Sequence, residues 1–248
     1  MLTEERYSKI LDAVNRQKSI ELSELCALLN TSESTVRRDL STLDEKGSLI
    51  KVRGGAIAID ESFAVSENNV EEKSRLFTTE KEAIARYAAS LIDNGDFVYI
   101  DAGTTTEKMI EYIPAKNVTF VTNAFLHARK LAQRGFRVFI PAGEIKVTTE
   151  AIVGAECLLS LKGYNFTKCF MGVNGISLSA GFSTPDINEA GVKTAAINKS
   201  RRAFILADHS KFDKITAVSF AELNRAKIIT DKLEEKKYLN ETSVKEVM

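Results

Sequence analysis

The chain has 248 residues, enough for two domains or one large one, and its 44% hydrophobic and 27% charged residues are those of an ordinary globular protein. Thirty-four basic residues balance 34 acidic ones, so no global charge draws it to nucleic acid or to anionic membranes, and any such attraction must be local. No apolar run approaches the length of a membrane span, and MLTEERYSKI lacks the apolar core of a signal peptide. A cytoplasmic protein without membrane contact is expected.

Thr3 can cap a first helix in which Tyr7, Ile10, Leu11 and Val14 form an apolar stripe. Leu22, Leu25, Cys26 and Leu29 then recur at i, i+3, i+4 and i+7, and Asn30-Thr31-Ser32 breaks the pattern with turn and cap residues. A further helix should start at Ser32. Val36, Leu40 and Leu43 share its inner stripe, which leaves Ser34, Thr35, Arg37, Arg38 and Ser41 on the outside. That face, short, hydroxylated and basic, suits the major groove of double-stranded DNA, where Arg bonds two acceptors at once and Ser and Thr reach phosphates. Gly47 stands where a helix C-cap glycine would. Ile50-Lys51-Val52-Arg53 alternates apolar and basic residues up to Gly54-Gly55, and Ala56 to Ile59 can alternate again. This predicts a hairpin turning at Gly-Gly, with Lys51 and Arg53 on its outer face. Residues 1–59 therefore read as a winged helix-turn-helix. The stretch carries nine basic and nine acidic residues, so the reading rests on which face is positive. A small helical hairpin for protein contacts is the alternative.

From Asp60 to about Glu72 periodicity disappears, and residues 60–75 read as a linker. Thr79 and Glu82 have capping-box spacing ahead of an amphipathic helix carrying Ile84, Tyr87, Ala88, Leu91 and Ile92. Strands are predicted at Phe97 to Ile100, Val118 to Val121, Val138 to Ile140, Cys169 to Val173, Ala203 to Ala207 and Ile228 to Thr230. Helices are predicted at Thr106 to Ile113, Phe125 to Arg134, Ala155 to Lys162 and Ile187 to Lys199. This alternation gives residues 76–248 an α/β fold with a mostly parallel sheet covered on both faces.

In such sheets ligands sit beyond the carboxyl ends of the strands. There the chain places Asp101, Gly103, Thr104, Thr105 and Thr106, then Thr122 and Asn123, Gly143, Asn174, and Lys211 in Asp208 to Lys211. Gly103, the three threonines and the start of a helix suit a phosphate, with Asp101 ordering the loop or binding a sugar hydroxyl. Asp186 suits a helix start, and Glu189 and Lys193 lie one turn apart on one face. A capped turn, an i,i+4 ion pair and a solvated lysine are the plainer readings of these three features. Cys26, Cys157 and Cys169, odd in number and far apart, read as buried free thiols. His127 and His209 are too isolated for a His-based metal site, so neither a metal nor another cofactor is expected.

The run Ser32 to Leu40 with Leu43, Gly47 and Gly54-Gly55-Ala56 resembles the signature of the DeoR family of bacterial transcriptional regulators. The resemblance continues through Asp101 to Thr106, Val121 to Asn123, Gly143, Asn174-Gly175, Thr184 to Lys193 and Asp208 to Lys211. It implies a body similar to ribose-5-phosphate isomerase that binds a phosphorylated sugar, and it is nearest the fructose-operon repressors of Gram-positive bacteria. The expected protein is then a repressor of a sugar-utilisation operon, a homodimer or homotetramer released from operator DNA by a sugar phosphate, with fructose 1-phosphate the candidate. It is not expected to be an enzyme. The alternative is a sugar-phosphate isomerase-like enzyme with a regulatory head, drawing its base from Asp186, Glu189 or Asp208.

Overall fold

In the computed structural model, residues 3–17, 19–45, 48–58, 63–64 and 70–248 are described. The chain divides into two compact units, Met1–Glu61 and Ser62–Met248.

The first unit packs α1 (Thr3–Gln17) with β1 (Ser19–Glu21), α2 (Leu22–Leu29), α3 (Glu33–Glu45), β2 (Ile50–Val52) and β3 (Gly55–Ile57). Its core is what the helical stripes predict: Ile10, Val14, Leu25, Val36 and Leu40 are all but sealed from solvent. Asn30 ends α2 in the left-handed region at φ 47°, a conformation Asn tolerates with little strain. The hairpin differs from expectation. Val52 pairs with Gly55, so the turn is Arg53-Gly54, and only Gly54 has positive φ, at +105°. Gly55 is needed for another reason. It lies opposite Glu21 in the unpredicted strand β1, and a Cβ there would stand 2.1 Å from the Ile20 carbonyl oxygen. The wing also lacks the expected sidedness, because Ile50 and Val52 are exposed together with Lys51 and Arg53. Gly47, expected as a C-cap, and Ile59 lie outside the described residues.

The second unit runs, in order, β4 (Phe63–Ala64), α4 (Val70–Arg75), α5 (Thr78–Ser90), β5 (Phe97–Ile100), α6 (Thr104–Met109), β6 (Thr119–Thr122), α7 (Phe125–Gln133) and β7 (Arg137–Phe139). It continues with β8 (Glu144–Lys146), β9 (Ala151–Val153), α8 (Ala155–Lys162), β10 (Phe166–Gly172), β11 (Gly175–Ser177), β12 (Gly181–Thr184) and α9 (Ile187–Asn198). The last elements are β13 (Ser200–Leu206), β14 (Ile215–Thr216), β15 (Val218–Ala221), β16 (Lys227–Thr230) and β17 (Val244–Glu246). A seven-stranded sheet of order β17-β16-β13-β10-β5-β6-β7 is its frame, and every pairing in it is parallel. The six predicted strands are all in it.

Strand alternation divides the sheet between two cores. Val98, Ile100, Phe170, Phe204 and Leu206 pack with Ile84, Ala88, Met109 and Leu131 of α5, α6 and α7 on one face. Tyr99, Cys169, Met171 and Ile205 point the other way, to Cys157, Leu161, Val192 and Ala196 of α8 and α9. Cys157 and Cys169 are buried thiols, which burial pushes up to about 11 and about 12, whereas Cys26 is only half-buried. The capping box does not form: the residue before α5 is Phe77, in the left-handed region, and Glu82 instead bonds Arg86 and Tyr112. Helix α4 stands within the stretch read as linker; residues 60–62 and 65–69 of that stretch lie outside the described residues.

Candidate functional site

In the first unit, α3 presents the predicted outer face. Ser32, Ser34, Arg37 and Arg38 are exposed, and Thr35 and Ser41 are half-buried. The Ser32 carbonyl accepts from the Val36 N–H at 3.1 Å, and its hydroxyl lies 3.0 Å from the Ser34 and Thr35 hydroxyls. Arg37 faces Glu33 at 3.3 Å, an exposed i,i+4 pair worth a few tenths of a kcal/mol, which a phosphate would displace at small cost. Lys51 donates to the Ser41 hydroxyl at 2.6 Å, which joins the wing's base to the helix; Arg53 is exposed at the turn. The sequence reading missed the anchor of this helix. Asp39 is buried beneath it, held by two guanidinium bonds from Arg6 of α1, one of them 3.0 Å. An acid beside Leu40 on the inner stripe was the available signal, since a buried carboxylate needs a partner.

In the second unit, the carboxyl ends of β5, β10 and β13 open on a cleft of about 660 Å³, open solvent at its mouth included. Of the predicted ligand residues, Gly103, Thr104, Thr105, Asn174, Glu189, Lys193 and Lys211 line it. Six others do not. Asp101 lies beneath the floor, its carboxylate accepting from the Gly172 N–H at 3.0 Å and from the Lys193 ammonium. Thr106 is sealed, its hydroxyl donating to the Asp101 carbonyl at 2.7 Å. Thr122 accepts from the Ala124 N–H, and Asn123 ties the Ala102 N–H to the Ile152 carbonyl. Gly143, at φ +139°, packs where a Cβ would stand 2.5 Å from the Val153 carbonyl oxygen. Asp186 caps α9 by accepting from the Glu189 N–H at 2.9 Å. These six hold the loops that form the site.

Glu189 and Lys193 do not pair with each other. Glu189 takes Lys146 at 3.1 Å and Thr149, while Lys193 takes Asp101 and, at 3.1 Å, the Gly172 carbonyl. The charge of Lys193 is thus already matched inside the protein. Burial pushes the Asp101 carboxyl up, and the Lys193 ammonium pulls it part of the way back. Helix α6 spans only six residues, so its dipole adds little.

The positive charge comes mainly from elsewhere. Lys81, which the sequence reading did not select, is buried in the cleft wall, and its ammonium donates to the Lys73 carbonyl. Burial, opposed by the Asp208 carboxylate and reinforced by the Lys211, Lys108 and Lys73 ammoniums, lowers its pKa to about 8. Lys211, 3.9 Å from Asp208, is lowered as well, first by burial. Lys73 and Lys211 are close enough to Lys81 to act on its pKa, so these three form a lysine wall of the cleft, which Lys193 also lines. Nothing in the local periodicity of Lys81 marks it, because its stripe on α5 reads as ordinary amphipathic spacing.

The cleft's carboxylates are committed. Asp208 accepts from the Ser210 N–H at 3.1 Å and from its hydroxyl, and Glu189 is engaged as above, as is Asp186 outside the cleft. Among the described residues no group of three His, Cys, Asp or Glu side chains is arranged to hold a metal ion. No described helix is long and apolar enough to cross a membrane.

Comparison with known proteins accords with this division. The family model of the DeoR-like helix-turn-helix domain matches residues 6–62, and that of the DeoR C terminal sensor domain matches residues 77–232. An uncharacterized HTH-type transcriptional regulator, FruR of Bacillus subtilis, is 42% identical over 236 residues, 95% of this chain and 93% of that one. The lactose phosphotransferase system repressor of Staphylococcus aureus (strain N315) is 35% identical over 223 residues, 89% of this chain and 88% of its own. Among solved structures, the full-length sorbitol operon regulator SorC of Klebsiella pneumoniae aligns over 83% of this chain and 88% of its own, at 12% identity and a TM-score of 0.41. Ribose 5-phosphate isomerase A of Neisseria gonorrhoeae aligns over 53% and 52%, at 14% and 0.39. The sequence matches span both units, and the chain belongs to the DeoR family of transcriptional regulators.

Proposed function

We propose that the protein represses a sugar-utilisation operon, that α3 and the wing bind its operator, and that a phosphorylated sugar entering the cleft releases it. The observation that carries the effector half is the lysine wall. Lys81 and Lys211 are both held below their ordinary pKa by burial, and a dianionic phosphate is the ligand that relieves such crowding of cations. Gly103, Thr104 and Thr105 line the same cleft. The engaged state of Asp186, Glu189 and Asp208 favours a sensor over an isomerase, which needs a carboxylate ready to take a proton from carbon.

On the DNA side, two heads of a homodimer, or of each half of a homotetramer, would set their α3 helices in successive major grooves about 34 to 36 Å apart. The site of action is the cytoplasm. Fructose 1-phosphate is the first effector to try, given the likeness to FruR of Bacillus subtilis.

The test is a fluorescence-anisotropy titration on the DNA upstream of the protein's own operon, with and without fructose 1-phosphate and other sugar phosphates. Specific binding abolished by one phosphate is the expected result. Replacing Arg37 and Arg38 by Ala should remove specific binding and flatten its salt dependence, by about one unit of slope for each DNA phosphate that is no longer neutralised. Replacing Thr104 or Thr105 by Ala should leave operator binding and abolish release. Specific binding that no sugar phosphate alters would overturn the effector reading.

A further inference from the structure

Helix α4 is the first described helix beyond the first unit, which ends at Glu61, and it forms part of the cleft. Val70 and Lys73, one turn apart on the same side of it, both line that space. Six residues are too few for a helix to stand alone, so its place depends on what it touches. It buries none of its residues, and its Arg75–Glu71 pair lies within the helix. One tie to the rest of the second unit is polar and comes from the lysine wall itself. The last carbonyls of a helix lack partners within it, and the Lys81 ammonium donates to that of Lys73. Helix α4 also lies beside α6, whose Thr104 and Thr105 line the same cleft.

The Lys73 side chain adds a force. It is near enough to Lys81 and to Lys211 to lower the pKa of each, and the Asp208 carboxylate offsets part of this crowding. Three ammoniums so placed repel one another, and a dianionic phosphate among them turns the force on Lys73 from repulsion to attraction. The helix that feels this change has no buried side chain to hold it, and such weakly packed segments shift at little cost.

We propose that α4 is the element through which the effector acts on the head, with Lys73 as its positioning residue: a phosphate held by Lys81 and Lys211 draws Lys73 in, and α4, through which the chain runs from the head, shifts with it. The proposal rests on the reading of the lysine wall as the phosphate site. A cleft walled by strand ends alone would have to pass its signal through a packed sheet, whereas here the ligand meets the connecting chain itself.

The test uses the full chain. Operator binding is followed by fluorescence anisotropy with and without fructose 1-phosphate, fructose 6-phosphate or inorganic phosphate, and the same three are titrated calorimetrically into DNA-free protein. Lys73→Gln, which removes the charge, should bind operator as the unsubstituted protein does and still take the sugar phosphate, but the factor by which that ligand weakens operator binding should fall from roughly 5- to 150-fold towards one. Lys73→Glu sets a carboxylate before Lys81 and Lys211, which draw it in without any ligand. Its operator affinity in the absence of sugar phosphate should drop about fivefold or more. Adding Lys81→Gln and Lys211→Gln to Lys73→Glu removes the cations that attract the carboxylate and should restore operator binding, which a disrupted helix would not. Release of Lys73→Gln to the full extent, unchanged operator binding by Lys73→Glu, or a loss that persists in the triple variant overturns the proposal. Failure of all three phosphates to bind the unsubstituted protein instead removes the lysine-wall reading, and this inference with it.

Discussion

A buried ammonium and carboxylate lose about as much solvation as their attraction returns, so the Lys193 and Asp101 pair depends on the bonds around it, to the backbone of Gly172 from both partners. Asp101→Asn keeps the shape and removes the charge, leaving the Lys193 ammonium buried without a counter-ion. The second unit should lose about 3 to 5 kcal/mol in urea unfolding, and adding Lys193→Met should recover much of it. A loss of less than about 1 kcal/mol would mean that solvent reaches the pair. Lys81 gives a pH prediction. Its pKa of about 8 lies below the ordinary lysine value, so below about pH 8 the folded protein holds a cation there and above it does not. Sugar-phosphate affinity should therefore fall as pH rises through about 8, with proton uptake on binding near that pH, and Lys81→Gln should flatten the profile. For folding the sign is opposite. Between about pH 8 and 10.5 the unfolded chain holds a proton that the folded one lacks, so this group's contribution to stability grows with pH.

At the scale of elements, Gly55 has the most to test. Gly55→Ala drives a methyl group into the Ile20 carbonyl, separating β1 from β3; the first unit should lose about 1 to 3 kcal/mol and its operator affinity, while sugar-phosphate binding by the second unit persists. Separate thermal transitions, with only the one from the first unit shifted, would be the signature. The same element marks where sequence reading ends. The helices of the first unit and six of the seven strands of the parallel sheet were legible because burial on one face or on both leaves a period of 3.6 or an apolar run, whereas the short edge strand β17 was not. Strand β1 was not, since three residues carry no period, and neither were the short hairpin β8 with β9 or the antiparallel β11, β12 and β15. The Thr79 and Glu82 spacing failed because a capping box needs the hydroxyl residue at the cap, and the cap here is Phe77, two residues earlier, so that Thr79 lies inside the first turn. Among the ligand candidates, position at a strand end was readable from the sequence, but the side that each residue faces was not. Thr122 and Asn123 turn inward to bond backbone, and Lys81 reaches the cleft from a helix outside the strand ends altogether.

For the whole molecule, the proposed repressor must obey linkage. If a sugar phosphate weakens operator binding, it does so only by binding the DNA-free protein more tightly than the DNA-bound one, and the operator must weaken sugar-phosphate binding by the same factor. A coupling of about 1 to 3 kcal/mol corresponds to roughly 5- to 150-fold in each direction. Calorimetric titration of the effector into free protein and into protein saturated with operator measures one direction; operator titrations with and without saturating effector measure the other. Equal factors are expected. Arg37→Ala with Arg38→Ala should abolish the operator's influence on the effector while leaving the effector's affinity for free protein unchanged, because those side chains lie on α3 and the lysine wall lies in the other unit. If the effector bound free and operator-saturated protein equally well, the cleft would hold a ligand without regulating the head.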